Sequence, residues 1–207
     1  MPDSSLWKVD FHMHSRYSHD SRTGLEELVA SARELGLARI ALTDHNTAEG
    51  ALALREREPE LVIAGEEVKT TEGEVIGLFI DRTIRAWQSP EAVMDEIHAM
   101  GGLVYVPHPF DRWRANFAPH RLVALADRID VIEGYNQWAD QRANEAAAEI
   151  ARELGKPVAF GSDAHSLAEL GHSWINVEPF SGPADLLEKL SRATGHRTEV
   201  SGTQRRA

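Results

Sequence analysis

At 207 residues, 42% hydrophobic and 27% charged, the chain has the size and balance of one ordinary globular domain, 1–207. A formal net charge of −11 argues against extended nucleic-acid binding, and zero cysteines exclude disulfides, thiolate zinc sites and a cysteine nucleophile. No apolar run reaches the roughly 18 residues of a membrane span, and the start, MPDSSLWKVDF, has neither the basic nor the apolar region of a secretory signal, so a cytoplasmic enzyme is expected.

Short apolar runs alternate with amphipathic stretches along the whole chain. The first strand is predicted at residues 8–12. Thr23 with Glu26 reads as a capping box for a helix carrying Leu25, Leu28, Val29, Ala32 and Leu35 at helical spacing, with Gly36 as its stop. Strands follow at 39–43 and 61–68, and 74–80, after Glu72-Gly73, reads as a hairpin arm on the third strand. Ser89-Pro90 marks the start of a helix with Val93, Ile97 and Met100. Strands at 102–107 and 130–135 precede a helix over 140–154 that Gly155 ends. Strands at 157–160 and 173–177 and a helix over 183–193 complete the series.

Roughly seven β/α alternations predict an α/β protein with a parallel sheet and outer helices. The chain is short for an eight-unit barrel of about 250 residues, so a distorted, TIM-like (β/α)7 barrel is expected. A doubly wound open sheet is the rival, although no Gly-rich phosphate loop follows the first strand.

The residues that close the runs carry the chemistry. Strand one runs into His12-Met13-His14, strand two into Thr43-Asp44-His45-Asn46 and strand three into Gly65-Glu66-Glu67. Strand four ends Pro107-His108-Pro109 and strand six ends Gly161-Ser162-Asp163-Ala164-His165. In a parallel barrel these ends converge on one rim, the usual place for catalysis. His12 and His14 are two apart, as are Asp163 and His165, so each pair points one way from an extended backbone. Imidazole and carboxylate ligands suit Zn, Mn or Fe. One His-x-His alone is weak, but five such strand ends make a multi-metal site. Asp44, Asn46 and Thr47 also read as starters of the next helix.

These motifs resemble the polymerase and histidinol phosphatase (PHP) domain family. Asp10-Phe11-His12-Met13-His14-Ser15 with Tyr17-Ser18-His19-Asp20 is similar to its first motif, and Ala41-Leu42-Thr43-Asp44-His45-Asn46 to its second. The stretch from Gly65 to Val68 with His108-Pro109 is similar to the third, and Gly161-Ser162-Asp163-Ala164-His165 to the fourth. The resemblance runs over about residues 7–200. It implies a distorted (β/α)7 barrel and two or three divalent metal ions held by His12, His14, Asp20, His45, Glu67, His108, Asp163 and His165. Glu67 is preferred to Glu66 because it completes the family's Gly-x-Glu. Where trinuclear members carry further ligands this chain has Glu74 and Glu133, so a third metal would depend on those two.

The expected activity is metal-dependent hydrolysis of a phosphate monoester or small nucleotide phosphodiester, with a metal-bridging hydroxide as nucleophile and a small phosphorylated substrate as partner. Asp44, His45 and Asp163 are its expected catalytic residues, with Asp44 orienting a ligand histidine or handling a proton. Ser18, His19, Arg112 and Arg114 are expected to contact substrate, and Arg16, Lys69 and Arg142 are further phosphate-binding candidates. Trp113, between two arginines, can stack a base or simply pack its loop, and Trp138 is a similar case. His98, His120 and His196 read as surface residues in or near helices, and His172 as lying at the far end of the seventh strand. Two rivals remain: an amidohydrolase-type metal hydrolase, for which Lys69 would be the bridging group, and a non-catalytic metal-binding module.

Overall fold

The computed structural model describes residues 5–198. In chain order it comprises β1 (Trp7–Met13), α1 (Leu25–Glu34), β2 (Arg39–Leu42), α2 (Glu49–Arg57), β3 (Val62–Lys69), β4 (Glu74–Leu78), α3 (Pro90–Ala99) and β5 (Leu103–Val106). Then come α4 (Pro119–Ala124), β6 (Val131–Asn136), α5 (Gln141–Glu153), β7 (Val158–Gly161), β8 (Ser173–Val177), α6 (Pro183–Leu190) and β9 (Thr194–Arg197). No helix among the described residues is long and apolar enough to cross a membrane.

The strands form one sheet ordered β7-β6-β5-β4-β3-β2-β1-β8-β9. β1, β2, β3, β5, β6 and β7 run parallel, and β4 is the antiparallel hairpin arm between β3 and β5. The sheet curls until its first and seventh strands meet. Asp163 N–H donates to the His12 carbonyl at 2.8 Å or less (2.7 Å), and His14 N–H to the Ala164 carbonyl at 2.8 Å. The free edge of β1 is therefore divided. Its first half pairs with β8, and its last residues pair with the chain leaving β7. The result is the expected distorted α/β barrel, nearly closed.

Side-chain alternation explains the closure. Phe11, Ala41, Ile63, Ile76, Tyr105, Val131 and Ala159, one from each of β1 to β7, pack in a single buried cluster. Residues from every strand of a curled sheet can meet only inside it. The opposite faces of β2 and β3 pack on Leu25, Leu28, Val29 and Ala32 of α1 and on Ala51 and Leu54 of α2. On the other flank Val93, Met94 and Ile97 of α3, Leu122 of α4 and Ala151 of α5 cover Val104, Val106 and Ile132.

Most helix signals correspond to real caps. Ser89 Oγ accepts from Ala92 N–H and Asp140 Oδ1 from Ala143 N–H. Gly36 ends α1 with φ +68°, a conformation that favours glycine. The capping box lies one residue later than Thr23 and Glu26: the Glu27 carboxylate accepts from Gly24 N–H at 3.1 Å. Two expectations are overturned. The segment 173–177 is not a seventh parallel strand, since β8 runs antiparallel to β1, and β4 takes the seventh place in the ring. His196 lies on a strand, β9, rather than near a helix end, with its ring stacked on Trp174 at 5.6 Å.

Phe11 is fully buried at the centre of the ring cluster. Replacing it with alanine should cost about 3–5 kcal/mol, measured as a lowered midpoint with unchanged slope in urea unfolding.

Candidate metal centre

β1 delivers two histidines to the interior only because its alternation is broken. Three residue steps from Asp10 to Met13 face two steps from Ile40 to Leu42, so β1 carries a bulge there. Phe11 below the bulge faces the ring core, and a bulge re-aims the side chains beyond it. His12 and His14 accordingly meet the ligand residues of the other strands. Closure requires Gly161: a Cβ there would collide with the His12 side chain and with Glu133 Oε1. His108 (φ +27°) and Asp163 (φ +49°) are non-glycine residues in the left-handed region, a strain that accumulates at functional sites.

All eight implied ligands converge, in three overlapping sets: His14, Asp20, His45 and His165; His12, Glu67 and His108; and His12, His14 and Asp163. The hydrogen bonds behind the rings fix which nitrogen each presents. Glu133 is the acceptor behind His12, 3.0 Å from Nδ1, so that nitrogen carries the proton and Nε2 turns inward with a lone pair. Ser18 does the same for His14. Its hydroxyl accepts from His45 N–H at 2.9 Å and donates to Asp44 Oδ1 at 3.0 Å. The remaining lone pair accepts from His14 Nδ1 at 3.1 Å. His165 Nδ1 donates to the Asp163 carbonyl at 2.8 Å, leaving its Nε2 toward Asp20.

The inward atoms are therefore acceptors facing acceptors. His12 Nε2 and His14 Nε2 are 3.2 Å apart. Glu67 Oε2 stands 3.3 and 3.4 Å from them, and Asp163 Oδ1 3.5 and 3.1 Å. Such a nest of lone pairs is stable only around positive charge, and imidazole nitrogens with carboxylate oxygens are the donor set of a divalent transition metal. The residues fit the metal that the motifs imply. His12 Nε2 and His14 Nε2 each belong to two sets but own one lone pair apiece. Once they serve with Asp163, the first set keeps three of its four members, Asp20, His45 and His165, while the remaining one keeps only Glu67 Oε1 and His108 Nε2, 3.1 Å apart.

In the metal-free protein, protons supply the missing charge. Burial disfavours a charged His12, but Asp163, Glu133 and Glu67 outweigh it and hold its pKa well above the usual histidine value. The same contest, with Glu67 and Asp20 as the main partners, pushes His45 up to about 9. His14 goes the other way, down to about 3, through burial aided by His165 and His45. Burial alone would raise Glu67 and Asp163, yet the surrounding histidines, with Arg114 beside Asp163, keep both well below the carboxylate range.

Several predicted roles change in the folded chain. Asp44 does not touch a ligand ring or open space. It is fully buried, accepts from Ser15 N–H, Ser15 Oγ and Ser18 Oγ, and acts on His14 through Ser18. Ser18, expected at the substrate, is 4% exposed and makes the three bonds above, to His14, Asp44 and His45. His19 stays exposed at the rim, its ring 5.4 Å from His45. Arg114 reaches the centre, donating to Asp163 Oδ2 at 2.7 Å. Arg112 does not: it is exposed and lies over the Trp113 ring at 4.9 Å. Arg16 and Arg142 are also exposed, and Lys69 is paired with Glu74 Oε1 at 3.2 Å. Glu66 points to the opposite side from Glu67 and accepts from Ile84 N–H, while Glu67 lies with His12 and His108.

Neither proposed source of a third site is free. Glu74 is held by Lys69, and Glu133 accepts four donors: His12 Nδ1, Tyr105 Oη, His108 N and Asn136 Nδ2. The role of Glu133 as the brace behind the centre was hidden in the sequence. Its signal was a glutamate in the apolar run of β6, next to Gly134. Trp138 also belongs here, donating to the Asp163 carbonyl at 3.1 Å. His98 pairs with Asp130 at the surface, and His120 is exposed on α4. His172, half-buried before β8, joins none of the three sets.

The family model described as PHP domain matches residues 10–73, and that described as PHP-associated matches 141–194. Two uncharacterized proteins of Methanocaldococcus jannaschii are similar in sequence. One is 36% identical over 149 residues, covering 63% of this chain and 82% of the relative. The other is 32% identical over 191 residues, covering 88% and 76%. The fold is similar to that of a two-domain Bacteroides vulgatus protein containing a predicted PHP-like metal-dependent phosphoesterase. That match has a TM-score of 0.78 and 19% identity, and covers 95% of this chain and 67% of that one. The chain belongs to the PHP domain family.

Two outcomes follow from the bracing and the charge balance. Glu133→Gln puts a donor where four donors already point, and should weaken Mn²⁺ or Zn²⁺ binding by about 10–100-fold in a folded protein, as read by calorimetry. His12 and His45, both raised, carry protons near neutral pH that a metal must displace, so binding should release protons and tighten as pH rises toward about 9. Calorimetry in buffers of different ionisation enthalpy measures that release, and a buffer-independent enthalpy would contradict it.

Proposed function

We propose that this chain is a divalent-metal-dependent phosphoesterase acting on a small phosphorylated substrate. The observation that carries the reading is the meeting of His12 Nε2 and His14 Nε2 with carboxylate oxygens of Glu67 and Asp163 in one buried space. We infer two well-held ions of Mn, Zn or Fe, one at His12, His14 and Asp163 and one at Asp20, His45 and His165, with Glu67 beside both. When bound, these ions supply Lewis acidity toward a phosphoryl oxygen and lower the pKa of water.

The chain's own residues do the rest. Ser18 and Glu133 hold the rings of His14 and His12 in the tautomers that face inward. Asp44 locks the Ser18 hydroxyl and, through it, the backbone of His45. Arg114, 26% exposed, keeps a guanidinium at the open side of Asp163, where its remaining donors can meet phosphate oxygens. Asp20, His45 and His19 form the accessible rim on the other side. The formal net charge of −11 favours a small substrate over a long nucleic-acid strand. The amidohydrolase alternative rested on Lys69, whose ammonium is tied to Glu74 Oε1 at 3.2 Å.

The test is metal analysis of the purified chain followed by assay of phosphate monoesters, small diesters and cyclic amides with added Mn²⁺ or Zn²⁺. Phosphate esters should be cleaved in a metal-dependent way. His14→Ala and Asp163→Ala should each reduce kcat/KM by at least about 100-fold while remaining folded. Turnover unchanged in those folded variants, or cleavage confined to the amides, overturns the reading.

A further inference from the structure

The strands that carry His45 and Glu67 to the metal centre begin, at their other ends, around a separate cavity of about 390 Å³. Arg39 and Arg55 both line it, together with Phe79, Phe180 and Glu60. Its volume falls in the lower range of small-ligand pockets, roughly 300–1,000 Å³.

Arg39 is a mostly buried cation whose one recorded ion pair is long and solvent-exposed on the acid's side. Its side chain is 14% exposed, and Nη1 donates to the Pro59 carbonyl at 2.9 Å. Its buried Nε has no partner. The nearest acid is Glu60 at 3.7 Å, with a side chain 93% exposed, so water screens that pair. The guanidinium instead lies over aromatic faces, 5.1 Å from Trp7 and 5.8 Å from Phe180. Arg55 donates to the Ile80 carbonyl at 2.9 Å and makes no ion pair among the described residues. A guanidinium withdrawn from water is ordinarily matched by a carboxylate or phosphate in forked contact. Here a second, half-buried guanidinium, that of Arg55, borders the same cavity in a chain of net charge −11.

Phe79 is the second observation. It lies on the wall of the same cavity with φ +60°, a backbone conformation that a bulky side chain adopts only at a cost. The strain holds an aromatic residue where the chain leaves β4, beside the two arginines.

We propose that this cavity is a second binding site, distinct from the metal centre, for a small organic anion. Its carboxylate or phosphoryl group is held by Arg39 and Arg55, and its apolar body rests on Phe79 and Phe180. The guanidinium of Arg39, held against the touching rings of Trp7 and Phe180, is already ordered before a ligand arrives, and Glu60 can swing away at little cost because it is already solvated.

Trp7 gives a built-in reporter. The full chain is titrated with benzoate and, separately, with phenylphosphonate, following the Trp7 indole N–H signal by NMR, assigned with Trp7→Phe. At least one probe should shift that signal saturably, and both Arg39→Gln and Arg55→Gln should weaken the response about tenfold, the loss of one charged hydrogen bond. His14→Ala should leave it intact, which separates this site from phosphonate binding at the metals. If Arg39→Gln fails to fold, Arg55→Gln, at a part-exposed helix position, still decides the matter. No saturable Trp7 shift with either probe, the same affinity in Arg55→Gln, or loss of the response in folded His14→Ala would each overturn the proposal.

Discussion

The structure depends on one electrostatic demand: at the rim of the barrel, lone pairs converge on lone pairs. Each inward nitrogen of His12, His14 and His165 faces inward because its other nitrogen donates a hydrogen bond to Glu133, Ser18 or a backbone carbonyl. The carboxylates of Glu67 and Asp163 add negative charge to the same space. An unmet buried acceptor costs about 1–3 kcal/mol, and more if charged, so the folded chain is incomplete without a cation there. Protons on His12 and His45 meet that demand in part, and a divalent metal ion would meet it more fully.

Much of the remaining architecture serves this convergence. The bulge in β1 lets Phe11 fill the ring while His12 and His14 crown it. The bare Gly161 allows β7 and Glu133 to approach His12. Left-handed turns at His108 and Asp163 carry ligands where an extended strand would aim them elsewhere. Arg114 then balances the outer oxygen of Asp163, so that a carboxylate buried from water has a partner on each side.

The ligand set was legible in the sequence because strand ends in such a barrel share a rim. His-x-His, Asp-x-His and single His or Glu residues after apolar runs mark that rim without any knowledge of packing. Strand direction was less legible. The apolar run 173–177 looks the same whether it lies parallel or antiparallel to β1, and only the long return through 162–172 decides it. The exposed β9, rich in polar residues, has no alternation to read. Supporting roles were the least visible. Ser18 and Asp44 form a relay because a hydroxyl has one proton and three neighbours, which is a fact of tertiary geometry. Glu133 reads as an isolated acid in a buried strand until Tyr105, His12 and Asn136 are seen around it. Of the candidate cations, Arg114 and Arg112 differ by only two positions, and the fold alone sends one to Asp163 and leaves the other on Trp113.

The divided edge of β1 has a consequence for how the chain comes to life. His14 and Asp163 are separated by 149 positions, yet they share one coordination space and one backbone seam. Contacts of such long sequence separation form late and slowly. During synthesis, the first ligands emerge long before the last, and the early histidines must wait with their strand edge unsealed. A chain shortened before Asp163 would lose both the seam and a carboxylate that faces the nitrogens of His12 and His14, so ring closure and completion of the ligand cluster depend on the same late segment.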